Sequence, residues 1–202
     1  MARSEKVNAR MREESRRTII DNCKQLFAEH GYYQCRMSDI AEAAGMSQGN
    51  VYWYFDGKEA ILQAILEEGF ARIEQMLVAV SQAEGSPADK LDHLFSQSVQ
   101  LYEQQQYFMR LLISLLSHSG GEGVAGLGFN LPEIGMAFHT AIRPLFNEAI
   151  LDGTLADADP DQLAMLYFSF FNGLLITYGE DWRMIPEGNL HQSLMRMLGR
   201  WL

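Results

Sequence analysis

The chain has 202 residues, a net charge of −10, 48% apolar residues and 21% charged ones. That composition excludes a disordered chain, and the length buries a real core in one large domain or two small ones. Two cysteines, neither in a CxxC pair, argue against a disulfide scaffold or structural zinc. The charged N-terminus lacks an apolar signal segment, and the apolar stretches are too short to span a bilayer. The expected location is therefore the cytoplasm, with no membrane partner.

Residues 1–12 are polar and basic-leaning and read as a flexible basic arm. A first helix is expected from about Glu13 to His30. Ile20, Cys23 and Phe27 recur at helical spacing, and Gly31 ends the run. Short helices follow over about Met37–Ala44 and Gln48–Tyr54. Asp56-Gly57 is a turn. A long helix begins at Lys58 and reaches about Ser81, where Gly85-Ser86-Pro87 breaks the pattern. Further helices are expected over Ala88–Gln105, Tyr107–Ser117 and Pro132–Leu151, with Pro144 kinking or splitting the last of these. Asp159-Pro160-Asp161-Gln162 is a helix start, with Asp as cap and Pro in the first position. That helix runs to about Tyr178, and a final one covers Leu190–Leu202. No alternating strand pattern and no repeat occurs. The fold class is all-α.

The stretch Met37–Phe55 carries the most information. Ile40, Ala41 and Ala44 give its first helix an apolar face. Gly45 sits where a left-handed residue is wanted. Ser47 is placed to cap the second helix, and Val51 and Phe55 fall on the buried side. Small residue, glycine four on and β-branched residue six further is the rhythm of a helix-turn-helix, whose second helix enters the DNA major groove. The spacing alone suits a plain helical hairpin equally well. Charge is compatible with DNA binding. Residues 1–60 hold nine basic and nine acidic groups, so the whole −10 lies in the remainder.

Gly31-Tyr32, Ile40-Ala41, Ala44-Gly45-Met46-Ser47, Gly49-Asn50-Val51-Tyr52, Tyr54-Phe55 and Lys58-Glu59 resemble the N-terminal domain of TetR/AcrR-type transcriptional regulators. The dense part of the resemblance covers roughly residues 13–65. It implies a helix-turn-helix domain over 13–60, with the fourth helix as connector to about 81. A helical ligand-binding and dimerisation domain follows over 61–202. It further implies a homodimer that binds a near-palindromic double-stranded DNA operator, most simply as a repressor, and is released by a small-molecule effector.

On the residues themselves, Gln48 and Asn50 can each bond adenine through two hydrogen bonds, and Gly49 lets backbone approach closely. Tyr52 packs inward with its hydroxyl reaching phosphate, while Trp53 and Tyr54 face the groove. Lys58 opposes the helix dipole where it stands, which a nearby phosphate would explain. The resemblance assigns phosphate or base contact to Ser47, Gln48, Gly49, Asn50, Tyr52, Tyr54 and Lys58. Two departures stand out. Cys35 and Arg36 replace a hydroxyl residue before the second helix, so Arg36 takes over a phosphate contact while the cap is lost. Gln48 stands where the family often has a cation, which implies a shallower salt dependence. The arm reads either as a solvated tail or as a phosphate contact.

The second domain is rich in Met and aromatic residues, which suits both a core and a pocket for a largely apolar ligand. Phe108, Leu112, Met136, Phe171, His139, Asn172 and Tyr178 are candidate ligand contacts, the last three as polar groups. The resemblance puts the dimer contacts on the last two long helices. The candidates there are Ser169, Gly173, Ile176, Leu194, Met197, Leu198 and Trp201. Gly121–Gly126 matches G-x-G-x-x-G but follows an apolar helix rather than a strand, so it reads as a loop that gates the pocket. The five histidines have no metal-ligand spacing, and no nucleophile elbow appears. No catalytic residue, metal site or cofactor is expected. The rival class is a helical ligand-binding or adaptor protein without specific DNA binding.

Overall fold

The computed structural model describes residues 2–118, 124–179 and 181–200, with side chains from residue 7 onward. The described elements are α1 (Ala2–His30), α2 (Met37–Ala43), α3 (Gln48–Tyr54), α4 (Lys58–Ser81), α5 (Pro87–Gln104), α6 (Gln106–Ser117), α7 (Leu131–Leu151), α8 (Pro160–Tyr178) and α9 (Glu187–Met197). All-α architecture holds throughout these residues. They form two compact units, Met1–Phe70 with Tyr107–Gly128, and Ala71–Gln106 with Phe129–Leu202. The chain thus passes from one unit to the other within α4, and α6 returns to the first.

In the first unit, Ile19, Cys23 and Phe27 of α1, Ile40 of α2, Val51 of α3 and Ile61, Leu62, Ile65 and Leu66 of α4 are all shut off from solvent. Each aliphatic or phenyl side chain among them contributes about 1.5–3 kcal/mol on burial. Phe108 of α6 lies edge-on to Phe70, ring centroids 5.6 Å apart, and fills the space left by Gly69. In the second unit, α5, α7 and α8 pack around stacked aromatics. Phe171 lies 5.7, 5.1 and 5.4 Å from the rings of Phe95, Tyr102 and Tyr167. The buried Tyr167 hydroxyl is not orphaned. It donates to the Leu94 carbonyl at 3.1 Å, and the Ser98 hydroxyl, which can donate in return, lies at 2.8 Å.

Both ends of the chain depart from the sequence reading. The arm is helical from Ala2, because nothing before Glu13 breaks a helix and the Arg10–Glu14 pair at 2.7 Å supports it. At the other end α9 stops at Met197. Gly199 takes φ 89°, and the N–H groups of Gly199 and Arg200 donate back to the carbonyls of Arg196 and Met195. This Schellman closure ends the helix at Met197, short of the expected run, whose last two positions lie outside the described residues. Pro144 does not split α7, which is continuous from Leu131 to Leu151. Residues 124–127 of the glycine-rich loop form a 3-10 turn, and Gly121–Gly123 lie outside the described residues.

Burial, with Cys35 nearby, pushes the Cys23 thiol up to about 12 from an ordinary 9.0. Burial raises the Tyr102 and Tyr167 hydroxyls in the same direction. The folded state keeps these groups neutral where the unfolded chain would ionise them. Their contribution is complete below about pH 9 and declines as pH rises toward about 12. Urea unfolding at about pH 10 should therefore give a lower midpoint than at about pH 8. Equal midpoints would contradict this.

Candidate nucleic-acid interface

Local chemistry builds the helix pair in the first unit. Gly45, at φ 64°, ends α2 with a Schellman closure, its N–H donating to Glu42 O and that of Met46 to Ala41 O at 2.9 Å. Ser47 Oγ accepts from the Asn50 N–H at 3.2 Å and caps α3. Val51 and Phe55 anchor α3 to the core. The opposite side is open. Gln48, Gly49 and Asn50 are exposed, and Tyr52 and Trp53 keep 50% and 60% of their surface in solvent. Gly49, Tyr52 and Trp53 share one face at i, i+3 and i+4. The half-buried Tyr54 meets Trp53 edge-on at 4.7 Å. An outward face of amides and aromatic rings is costly as plain surface and well suited to base edges and sugar-phosphate.

Three expected details change. Tyr52 points out rather than in. The cap of α2 is not fully lost, because the Asp39 carboxylate accepts the Arg36 N–H at 2.8 Å. That bond holds the Asp39 carboxyl below its ordinary range, while Arg36 itself is exposed. Lys58 has a different explanation from the expected one. Its ammonium donates to the carbonyls of Tyr32, Tyr33 and Cys35 at 3.3, 3.4 and 3.2 Å, and lies 4.6 Å over the Tyr32 ring. All three ammonium protons have acceptors in the α1–α2 turn, so a cation at the start of α4 needs no phosphate. The Tyr32 hydroxyl donates to Glu59 Oε1 at 3.3 Å, closing the same clasp. Burial, followed by the Glu59 charge, raises that hydroxyl.

Two residues absent from the sequence reading stand beside α3. The Arg12 guanidinium lies 4.6 Å over the Trp53 ring, and Arg16 lies 5.0 Å over Phe55. The signal was present as two arginines four apart. It was hidden by starting the first helix at Glu13, which left Arg12 in an arm without a fixed face.

The candidate ligand contacts do not converge as a set. Phe171 and Asn172 come together with Tyr102, whose hydroxyl donates to Asn172 Oδ1 at 2.7 Å. His139 Nε2 lies 2.8 Å from the Asp161 carbonyl and so is bonded within the α7–α8 contact. Met136 and Tyr178 are 63% and 55% exposed. Phe108 is buried in the first unit and Leu112 half-buried there. Of the dimer candidates, Ser169, Gly173, Ile176 and Met197 are exposed. Leu194 and Leu198 are corrections: at 1% and 3% exposure they pack inside the protomer and have no surface left for a partner. Trp201 lies outside the described residues. The exposed Met165 and Leu166 extend the same side of α8. No helix among the described residues is long and apolar enough to cross a membrane.

A family model described as "Bacterial regulatory proteins, tetR family" matches residues 19–65. HTH-type transcriptional regulator SrpR of Pseudomonas putida is 43% identical over 54 residues, 27% of this chain. That match spans only 25% of the relative's own length. HTH-type transcriptional regulator TtgR, also of Pseudomonas putida, is 23% identical over 180 residues, covering 87% of this chain and 83% of the relative. Among solved structures, AibR in complex with isovaleryl coenzyme A and operator DNA superposes with a TM-score of 0.69 at 18% identity. It covers 92% of this chain and 98% of that one.

Proposed function

We propose, on the premise that this chain belongs to the TetR/AcrR family of transcriptional regulators, that it is a non-enzymatic, ligand-responsive repressor acting on double-stranded DNA in the cytoplasm. The observation that carries this reading is α3. A capped seven-residue helix, anchored by Val51 and Phe55, turns Gln48, Asn50, Tyr52 and Trp53 to solvent. Asn50 and Gln48 read base edges in the major groove, and Ser47, Arg36, Tyr52 and Tyr54 set the register on phosphates. A homodimer presents two such helices to a near-palindromic operator. The exposed α8 side bearing Leu166, Ser169, Gly173 and Ile176 is a surface that a second copy would cover.

The effector is a small, largely apolar molecule bound among the helices of the second unit. Tyr102 and Asn172 supply a polar pair in an otherwise aromatic cluster there. AibR is solved with isovaleryl coenzyme A, whose short acyl group is apolar although its nucleotide portion is not, so an acyl-bearing molecule is the class to test first. Helix α4 belongs to both units and carries the ligand state to the head, so that two heads no longer match the half-sites.

Gel-shift binding of the purified chain to its own upstream intergenic DNA, with scrambled competitor and a salt titration, tests the reading. A competitor-resistant shift, reversed by acyl-chain compounds, is expected. A protein that binds such compounds but shifts no duplex, including random pools, is a ligand-binding adaptor instead.

A further inference from the structure

We propose that Arg12 is a DNA-phosphate contact of this protein, held on the flank of α3 by stacking on Trp53. The inference rests on the DNA-binding reading of α3 and adds to it a residue from a different helix. Two of the α1 arginines are already engaged by carboxylates. Arg10 pairs with Glu14 at 2.7 Å, and Arg17 lies 3.9 Å from Asp21. Among the described residues no carboxylate pairs with Arg12 or Arg16. These two, four residues apart, lie on the side of α1 that meets α3, over Trp53 and Phe55.

A guanidinium centred 4.6 Å over a ring is held by its cationic carbon and needs none of its N–H groups for a hydrogen bond there. Its five N–H groups lie in the plane and point outward, free for an anion. Trp53 is itself 60% exposed on the outward face of α3, so the stacked Arg12 is presented beside the groups that meet base edges. The stack also fixes a side chain that would otherwise lose rotamer freedom on binding. Arg16, one turn on, lies over Phe55 in the same way. An anion site is needed here for a second reason: the three ammonium protons of Lys58 are taken by backbone carbonyls, which removes the cation expected to hold phosphate. Arg12, with no carboxylate partner among the described residues, supplies that charge beside Trp53.

The test measures duplex affinity against salt for the wild type, Arg12→Gln and Arg17→Gln. Arg17→Gln removes an equal charge from α1 away from α3. Arg12 is exposed and Gln is a good helix former, so the thermal midpoint should fall only by the small worth of an exposed cation–π contact and the protein stay folded. For Arg12→Gln, the slope of log affinity against log salt should fall by about 0.9, with affinity down about tenfold on specific and non-specific duplexes alike. Arg17→Gln should keep the wild-type slope. A wild-type slope in Arg12→Gln overturns the proposal, as does an equal fall in both variants, which would mean bulk charge alone. A loss confined to one operator base pair overturns it as well, since Arg12 would then read a base. A wild type that binds no duplex at any salt removes the DNA reading itself, whereas wild-type binding with an unchanged Arg12→Gln slope removes only this inference.

Discussion

Replacing Asn50 and Tyr52 together by alanine is expected to abolish specific operator binding while the protein stays folded and dimeric. Neither side chain carries the core, since Asn50 is exposed and Tyr52 keeps half its surface in solvent. The cap of α3 also survives, because Ser47 Oγ takes its bond from the Asn50 backbone N–H and not from the amide. What is lost is recognition. A side-chain amide bonded twice to adenine is worth about 1–3 kcal/mol of discrimination. Removing it together with an aromatic phosphate or sugar contact should cost specific affinity about 100-fold or more. Weak, salt-sensitive binding to any duplex should remain. Competition gel shifts and the thermal midpoint measure both halves. Specific affinity within about twofold of wild type would remove α3 from the DNA surface.

The second large effect is on stability. Gly69 sits in α4 where any Cβ would fall 2.1 Å from the ring of Phe108. Phe108 is fully buried and held edge-on by Phe70, so its ring has nowhere to go. Gly69→Val should cost about 2–3 kcal/mol by overpacking, offset by only a few tenths from better helix propensity. For a chain of this size that lowers the thermal midpoint by roughly 5–10 °C. Phe108→Leu makes room, so the double variant should be more stable than the two single costs predict. A midpoint for Gly69→Val equal to wild type, or strict additivity in the pair, would refute a tight α4–α6 contact.

The contrast between Gly45 and Gly199 explains how much of the fold was legible. Both close a helix by the same pattern of backbone bonds. Gly45 lay between a helical stripe and a serine cap, so local signals agreed and α2, α3 and α4 were bounded nearly to the residue. Gly199 lay inside an apolar run ending in Trp201 and Leu202, and periodicity alone carried the expected helix past it. Start signals behaved similarly. Asp159 caps α8 as expected, accepting the Asp161 N–H at 2.9 Å. The start of α1 had no breaker and no cap to announce it.

The outward face of α3 was legible because it depends on one short helix, whereas contacts between elements were obscure. Gln48, Asn50 and Trp53 could be read because Val51 and Phe55 fix which way α3 faces. Lys58 could not. Its charge suggested an anion, but three carbonyls more than twenty residues away in sequence supply the partners. Leu194 and Leu198 show the same limit. A helical stripe says that a face is apolar, not whether the protomer's own core or a second copy covers it. Composition likewise suggested ligand contacts without the convergence a pocket needs, and His139 is bonded to a neighbouring helix instead.

The central claim is that α3 of each of two copies reads a base sequence. Selection of the wild-type protein against a pool of random duplexes at near-physiological salt tests it most directly. Enrichment of a near-palindrome whose half-sites lie about one helical turn, or a multiple of it, apart is expected. Enrichment should vanish for the Asn50→Ala, Tyr52→Ala protein. A pool that stays random through selection, or one whose motif survives that double substitution, would contradict it.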